Sequence, residues 1–432
     1  MKRGLTLWPL VASIYLMVAG GPFGLEEIVA RMGYGGAILV LLVTPLVWAL
    51  PAGLMVAELA SAIPEEGGFY VWAYRAMGPF GGFLEAWLTL AGSIFDMAIY
   101  PTLFVSYLAH FNPAVTANGR GYWIGVAMIA ACAALNLGGV RSVGASSFAF
   151  TALLLAPFAA LSFYAAAHPG PAAPHAPVHF DFLLGILVAM WNYMGFDNSS
   201  PIAGEVERPQ RTYPLAMAAT VLLVVITYVV PIAAVAVTGL PSDRWSTGGW
   251  ADIARAVLGG GTIAGVLAAA ITVAGMIGAF GTCSALTMSL SRLPMVLAED
   301  GFLPRILARR GERTGAPVVS IFTCAVVWAL ALNLSFDKLI MLDVLLTGLS
   351  ILVEFLSLIV LRVREPDLDR PYRVPGGMAG AIGIAVAPAA LLVLAMVRNK
   401  AEAVGPINAL ELGAILIALG VLAYFLSHHD RR

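Results

Sequence analysis

Long apolar stretches, separated by short polar or Pro- and Gly-rich connections, make up most of the chain. An α-helix needs about 20 apolar residues to cross the hydrocarbon layer of a bilayer. Stretches of about this length or longer recur along the whole sequence and predict an all-α polytopic membrane protein with twelve transmembrane helices. Their approximate bounds are 6–31, 36–62, 80–110, 121–139, 143–167, 181–205, 213–238, 262–291, 317–335, 338–361, 378–397 and 407–427.

Composition supports this pattern and narrows the class of protein. Hydrophobic residues occupy 60% of the 432 positions and charged residues only 11%, whereas about 25% of a soluble domain is charged. A soluble protein cannot hide so much apolar surface, because single cores stop growing at about 250–300 residues. A soluble enzyme, a disordered chain and a secreted disulfide scaffold are therefore excluded. The net charge of −1 says nothing about nucleic acid, but the chain has no basic run long enough to follow a phosphate backbone, so we expect no nucleic-acid partner.

Cysteine and histidine residues give no indication of a metal site. Cys132, Cys283 and Cys324 each lie alone within an apolar run, as buried hydrophobic cysteines do. No histidine pair has metal-ligand spacing inside a predicted membrane helix. We expect neither a metal nor a cofactor.

Basic residues orient the predicted helices in the membrane. If the N-terminus is cytoplasmic, 17 of the 24 Lys and Arg residues fall inside the cell and 7 fall outside. Short cytoplasmic loops are the ones enriched in these residues. The sequence therefore predicts a cell-membrane protein with both termini in the cytoplasm, near Lys2, Arg3, Arg431 and Arg432.

Two of the predicted helices contain helix-breaking residues. The first run contains Gly20, Gly21 and Pro22, and the sixth contains Gly195 within residues 191–197. Backbone groups freed in lipid must find partners, so such a break persists only where it faces protein or an aqueous cavity. A harmless kink would explain a single break. It explains two breaks at matching positions less well. Interrupted helices at matching positions of two halves indicate a transporter binding site.

Carboxylates also lie within the apolar runs. A charge near the bilayer centre costs about 2.5–3.5 kcal/mol even on a lenient scale, so it normally faces a binding site or pathway. Asp96 and Asp197 lie in the middle of their runs and are predicted to be functional. Helices 3, 5, 6, 7 and 8 have no Lys or Arg in their middles, so the acidic site favours a cation or protons. Four others lie near predicted helix ends and should reach interfacial water or loop arginines: Glu58, Glu85, Glu205 and Glu354.

At these residues the sequence resembles the amino acid–polyamine–organocation superfamily, and within it the plant-type polyamine:proton symporters and their bacterial relatives. The resemblance implies a leucine-transporter-like fold, in which two five-helix inverted repeats each begin with a broken helix, helices 1 and 6. The matching stretches are residues 21–27 (GPFGLEE), 63–72 (IPEEGGFYVW), 96–101 (DMAIYP), 191–197 (WNYMGFD), 203–209 (AGEVERP) and 298–304 (AEDGFLP).

The same resemblance implies the division of the chain and the site. Residues 1–167 would form the first repeat, 168–361 the second, and 362–432 helices 11 and 12 with the tail. The substrate would lie between the two breaks, with aromatic cover from Tyr100, Trp191 and Phe196. The implied substrate-binding residues are Gly20, Gly21, Phe23, Asp96, Tyr100, Trp191, Asn192, Phe196 and Asp197. The candidates for proton coupling are Glu26, Glu27 and Asp197.

Two departures from the family pattern concern substrate and coupling. Amino acid permeases hold the substrate carboxylate on free amides of the first break, but Pro22 supplies no N–H here. Together with Asp96, this favours a polyamine over an amino acid. Helix 5 has Leu154 near the position where some proton-coupled relatives have a lysine, so a carboxylate must carry the proton. Sodium at Thr282 or Ser284 is the other possibility.

The sequence thus predicts a secondary transporter that imports a cationic amine, such as putrescine or spermidine, with protons by alternating access. Its partners would be a small organic cation or amino acid, protons and the lipid bilayer. An amino acid permease, an amino acid/amine exchanger and a receptor without flux are the alternatives. An enzyme would need a nucleophile or a reactive cluster, which the sequence does not indicate.

Overall fold

A computed structural model describes residues 5–171, 182–246, 248–399, 403–404 and 407–429. The four terminal basic residues on which the predicted orientation partly rests lie outside these ranges. The described chain is almost entirely helical. Its only strands are β1, Ala403–Val404, and β2, Ile407–Asn408, which pair antiparallel just before the last helix.

The first eight helical elements run from Leu7 to Ala167. The elements are α1 (Leu7–Val18), α2 (Glu26–Thr44), a π-helical turn (Pro45–Ala49), α3 (Leu50–Ala62), α4 (Phe69–Phe111), a 3₁₀ helix (Pro113–Gly119), α5 (Arg120–Asn136) and α6 (Val140–Ala167). Most residues of α1, α3 and α4 are buried, which makes these three core helices of the bundle.

The rest of the chain repeats this alternation of long and short helices. The elements are α7 (Phe182–Asn192), a 3₁₀ helix (Asp197–Glu205), α8 (Pro209–Ala236), a 3₁₀ turn (Ser242–Arg244), α9 (Trp250–Val257), α10 (Gly261–Leu290), α11 (Arg292–Glu299), a 3₁₀ turn (Arg305–Ala308), α12 (Val318–Leu330), a 3₁₀ turn (Ala331–Asn333), α13 (Phe336–Arg364), α14 (Gly377–Asn399) and α15 (Ala409–His429).

Eight helical stretches among the described residues are long and apolar enough to cross a membrane, which makes the chain a multi-pass membrane protein. The other four predicted runs contain shorter helices: α1, α5, α7 and α12. The first and sixth runs are short because they are interrupted, as their glycines predict. The eight stretches are Glu26–Ala62, Phe69–Phe111, Ser146–Ala167, Pro209–Ala236, Gly261–Glu299, Lys338–Arg364, Gly377–Val397 and Ala409–Leu426.

Two glycines divide helices that are otherwise continuous. Gly33 in α2 has φ 66° and Gly78 in α4 has φ 81°, a region that residues with a Cβ rarely enter. The chain therefore turns just before residues 36 and 80, where the apolar pattern predicts that helices 2 and 3 begin. The segment from Phe69 to Gly78 is a short separate helix ahead of the membrane-spanning part of α4.

The interior and the outer surface of the bundle are both apolar. Large aromatic side chains such as Trp48, Trp72 and Trp328 are buried, whereas Phe163 is 81% exposed and Leu330 is 70% exposed. Apolar side chains on the outside suit lipid, in which every backbone polar group must be satisfied within the helices. The most extensive helix pairing is between α4 and α13, which lie about 250 residues apart in the chain.

Candidate functional site

The first interruption separates α1 from α2 over residues 19–25. Gly20, Gly21 and Gly24 have φ values of 55°, 98° and 83°, so the chain leaves the helix by conformations that glycine adopts without strain. Neighbouring atoms also restrict these positions to glycine, in addition to the backbone conformation. A Cβ at Gly20 would lie 2.6 Å from the hydroxyl of Thr282, and one at Gly24 would lie 3.0 Å from the ring of Trp191.

The second interruption, residues 193–196, lies directly against the first. Gly195 has φ 98°, and a Cβ there would lie 2.7 Å from the carbonyl oxygen of Met17 at the end of α1. The carbonyl of Asn192, freed at the end of α7, accepts a hydrogen bond from the Tyr228 hydroxyl at 2.8 Å. The two broken helices thus meet through their irregular backbone, and protein groups satisfy the freed polar atoms.

We expect Gly195→Ala to destabilise the protein. A left-handed conformation costs a residue with a Cβ about 1–2 kcal/mol, and the clash with Met17 adds to this cost. A lower midpoint of thermal unfolding in detergent would show the effect. Gly265→Ala is the matched control, because Gly265 lies within α10 and a Cβ there meets no atom within 4 Å. Equal melting temperatures for the two variants would contradict the prediction.

A cavity of about 30 Å³ lies between the breaks, α4 and α13. Three of the residues predicted from the sequence line it together: Asp96, Tyr100 and Trp191. No Lys or Arg is among its lining residues within the described part of the chain. The full lining is Met17, Val18, Thr89, Ser93, Asp96, Tyr100, Trp191, Met194, Gly195, Asn198, Leu290, Asp343 and Thr347.

Two carboxylates on different helices face this cavity. Asp96 of α4 accepts a hydrogen bond from the Tyr100 hydroxyl at 2.8 Å, one helical turn further along. Asp343 of α13 accepts one from the Thr347 hydroxyl at 2.7 Å, again one turn further along. Sequence reasoning missed Asp343, although a carboxylate inside the apolar run 338–361 was the available signal. The cavity is therefore lined by Asp96, which the sequence indicated, and by Asp343, which it did not, whereas the other predicted aspartate, Asp197, is outside the lining.

The remaining predicted substrate contacts lie around the cavity rather than in its lining. The Phe23 ring packs on Tyr107 and Phe158, at centroid distances of 4.9 and 5.1 Å. The Asn192 amide donates to the Val188 carbonyl at 2.9 Å. Four further predicted residues lie outside the lining: Gly20, Gly21, Phe196 and Asp197. Their contact with substrate stays a prediction.

The candidates for proton coupling lie in different surroundings. Glu26 is fully buried, and neither of its carboxylate oxygens has a side-chain hydrogen-bond partner among the described residues. Glu27, by contrast, is partly exposed and pairs with Arg31 one turn along α2. Asp197 is 2% exposed, and its Oδ1 has no partner within the described chain. Glu26 and Asp197 are thus buried without a basic partner among the described residues, whereas Glu27 is paired, and the role of all three in proton coupling stays a prediction.

The prediction for carboxylates near helix ends is confirmed for two residues and wrong for two. Glu58 and Glu205 reach arginines, as described below. Glu85 and Glu354 are fully buried, and among the described residues neither pairs with an arginine or lysine. The reason is that α4 and α13 continue past the predicted helix ends, so both side chains lie within a helix and not beside a loop.

Four arginines close one end of the bundle, which we name the arginine-rich end: Arg292, Arg310, Arg362 and Arg370. Glu58 pairs with Arg362, whose Nε lies 2.9 Å from Oε1, and with Arg370 at 3.3 Å. The backbone N–H of Val374 donates to Glu58 at 2.7 Å. All these side chains are nearly fully buried. This cluster fixes the ends of α3 and α13 to the loop before α14.

A second ion cluster at the arginine-rich end joins the 3₁₀ helix of the second break to its neighbours. Arg292 lies 2.7 Å from Glu205 and 3.6 Å from Glu66, and Arg310 lies 3.0 Å from Glu66. Burial lowers the pKa of Arg310, but Glu299 and Glu66 outweigh it and leave that pKa raised. The start of α11, the connection between α3 and α4 and the end of the 3₁₀ helix are thereby held together at this end.

Comparison with known proteins agrees with these features. A family model described as amino acid permease matches residues 11–419. Polyamine transporter PUT1 of Oryza sativa subsp. japonica is 34% identical over 420 residues, which cover 96% of this chain and 78% of the relative. Probable polyamine transporter At3g19553 of Arabidopsis thaliana is 33% identical, covering 97% of this chain and 86% of the relative.

Polyamine transporter RMV1 of Arabidopsis thaliana is 30% identical over 422 residues, covering 96% of this chain and 84% of the relative. These matches extend over both helix breaks, the two cavity carboxylates and the arginine-rich end. The chain is a transporter and not an enzyme, and it belongs to the amino acid permease family.

Proposed function

We propose that the protein imports a cationic amine, a polyamine such as putrescine or spermidine, together with protons. The observation that carries the proposal is the cavity with Asp96 on α4 and Asp343 on α13 and no basic residue in its described lining. Two carboxylates without basic partners are expensive inside a membrane. Two ammonium groups joined by an apolar chain would satisfy both of them.

Aromatic and polar neighbours support an amine over an amino acid. Trp191 and Tyr100 line the cavity beside Asp96, and a cation over an aromatic face is stabilised by about 0.5–2 kcal/mol. A substrate carboxylate would lie near both aspartates, and Pro22 removes one of the amides that could bind it. The names of the three plant relatives point the same way.

The finer architecture belongs to the same proposal. The chain would have twelve membrane spans, with two inverted repeats at residues 1–167 and 168–361 followed by residues 362–432. In this arrangement α1 and α7 would be the first halves of the broken helices 1 and 6. The contact between the two breaks and the matching places of α1 and α7 support this arrangement. The arginine-rich end would face the cytoplasm, as would both termini, in the lipid bilayer of the cell membrane.

The small size of the cavity supports alternating access as the mode of transport. About 30 Å³ is close to the space of one water molecule, so a diamine fits only when the surrounding helices move apart. The ion pairs of Arg292 with Glu205 and Glu66 would close the cytoplasmic side in this conformation. These ion pairs would then break, and water would hydrate the separated charges, when the substrate is released into the cell.

A thermal-shift screen on the purified protein tests the substrate class. We expect putrescine and spermidine to raise the melting temperature, because a ligand that binds only the folded state stabilises it by RT ln(1 + L/Kd), where L is the free ligand concentration. Neutral and acidic amino acids should leave the melting temperature unchanged. A shift with amino acids and none with amines would favour the second candidate, an amino acid permease, to which the family name points. Uptake of the stabilising compound into proteoliposomes would then separate a transporter from a receptor without flux.

A further inference from the structure

Polar side chains follow the interface of α4 and α13 from the cavity to two buried glutamates. On each helix they are spaced three, four or seven residues apart, which places them on a single face. The two helices run antiparallel, because the partners of successive α4 residues come from earlier and earlier positions on α13. The residues are Glu85, Thr89, Ser93, Asp96 and Tyr100 on α4, and Asp343, Thr347, Ser350 and Glu354 on α13.

Direct hydrogen bonds connect the cavity to the first glutamate. The Thr89 hydroxyl belongs to the cavity lining and lies 3.1 Å from Oε1 of Glu85. The same hydroxyl lies 2.7 Å from the Ser350 hydroxyl, which donates to Oε1 of Glu85 at 2.5 Å. A single hydroxyl therefore separates the cavity from the Glu85 carboxyl group.

The second glutamate, Glu354, is fully buried, and neither of its oxygens has a hydrogen-bond partner among the described residues. Oε2 of Glu85 is likewise buried and without a partner there. The charged groups that interact with Glu354 electrostatically are Asp197 and Glu85, and both are acidic. An ionised carboxylate in such a place is far more costly than the neutral acid.

Within the described residues, the other helices packed against α13 supply no counter-charge. The carboxylate of α3, Glu58, is already paired with Arg362 and Arg370 at the arginine-rich end. The described part of α7 has no charged residue, α14 has only Arg398 at its end, and Glu411 of α15 caps the backbone of Asn408. A proton is therefore the cation that the structure leaves for this pair.

We propose that Glu85 and Glu354 form the proton site of the transport cycle, with Thr89 and Ser350 carrying the proton between this site and the cavity. The inference rests on the proposed function, since it assumes that a proton accompanies the amine. In the transfer step, the Thr89 oxygen accepts a proton from the cavity while its own O–H proton moves to Oε1 of Glu85. Only protons move, and each hydroxyl is regenerated with one hydrogen.

Separate sites for amine and proton explain how symport is possible. One carboxylate cannot hold a proton and an ammonium group at once, because the proton removes the charge that binds the amine. Here the substrate ammoniums would neutralise Asp96 and Asp343, while a proton would neutralise one carboxylate of the glutamate pair. On an α-helix eleven residues span about 16 Å, which is the separation of the two sites along both α4 and α13.

Coupled transport in proteoliposomes tests the proposal. The exterior is made one pH unit more acidic, the membrane potential is clamped at zero, and an entrapped pH dye reports proton entry with labelled putrescine. For the wild type we expect about tenfold accumulation per coupled proton, together with putrescine-dependent acidification. Glu85→Gln and Glu354→Gln should lower the accumulation ratio to about one and abolish the acidification, while putrescine counterflow and the thermal shift persist.

Three controls keep the test specific. Asp252→Asn removes an exposed carboxylate that pairs with Arg255, and it should couple as the wild type does. Thr89→Val, which keeps the shape but loses the hydroxyl, should slow proton entry, whereas Thr89→Ser should restore it. The Thr89→Val and Thr89→Ser variants test the proton site even if the glutamine variants do not fold.

Wild-type accumulation in Glu85→Gln and Glu354→Gln would overturn the proton site, and so would loss of coupling in Glu26→Gln or Asp197→Asn alone. A wild type that exchanges putrescine without proton entry would overturn it as well. A wild type with neither putrescine exchange nor a thermal shift would instead refute the proposed function.

Discussion

Asp96→Asn is expected to abolish uptake of putrescine and to weaken its binding by about 30-fold or more. Loss of one partner of a buried, hydrogen-bonded charge pair costs about 2–5 kcal/mol, and every 1.4 kcal/mol corresponds to tenfold in affinity. Asp96 faces the cavity from α4 and is held by the Tyr100 hydroxyl at 2.8 Å. Calorimetric titration of the purified variant with putrescine measures the loss directly.

The fold should tolerate this substitution. Asparagine has the same shape, its carbonyl can accept the Tyr100 hydrogen bond, and the variant removes an acidic group from a cavity without basic residues in its described lining. Tyr100→Phe is the matched control, because it deletes only the hydrogen bond, which typically contributes about 0.5–1.5 kcal/mol. Unchanged putrescine affinity in Asp96→Asn would remove Asp96 from the substrate site.

The second cavity carboxylate, Asp343, allows an independent test of how the cavity binds a diamine. If each aspartate binds one end of a diamine, Asp343→Asn should weaken putrescine but leave a monoamine such as butylamine nearly unaffected. The ratio of the two affinities should therefore fall towards one in Asp343→Asn. Equal weakening of both ligands would show that Asp343 shapes the cavity without contacting a second ammonium group.

Glu58→Gln is expected to cause the largest loss of stability among single substitutions at the arginine-rich end. Removing one partner from a buried ion pair leaves the other charge uncompensated and costs about 3–5 kcal/mol. Two arginines, Arg362 and Arg370, and the backbone N–H of Val374 all depend on this one carboxylate. The midpoint of thermal unfolding and the yield of folded protein measure the effect.

Glu365→Gln is the control for the Glu58 experiment. Glu365 pairs with Arg75, but the two side chains are 29% and 38% exposed. Exposed pairs contribute only about 0–1 kcal/mol, because water screens the charges and two long side chains must be ordered. Similar losses in the two variants would mean that burial does not set the energetics of the Glu58 cluster.

Local chemistry explains what could be predicted for the breaks and for Asp96. The cost of glycine and proline inside a helix depends on the residue and its immediate neighbours, so the interruptions after Val18 and Asn192 are visible in the sequence. Asp96 and Tyr100 are one helical turn apart, and their contact follows from helix periodicity alone. The membrane class follows equally from the apolar runs and the low charge.

Contacts across long sequence separations could not be predicted in this way. The position of a glutamate near a predicted helix end does not reveal which helix lies beside it. Glu58 pairs with arginine, whereas Glu354 has no arginine partner among the described residues. Both glutamates nevertheless lie in apolar runs of similar length. Asp343 became part of the candidate site only because α13 packs along α4.

The sequence by itself determined the membrane class, the two helix breaks and one acidic residue of the candidate site, since each depends on residues close together in the chain. Only the tertiary structure decided that Asp343 joins Asp96 in one cavity and that Glu85 lies with Glu354 beneath it. The physical reason is that helix–helix packing in a membrane is specified by the fit of whole helix faces, which no local pattern encodes.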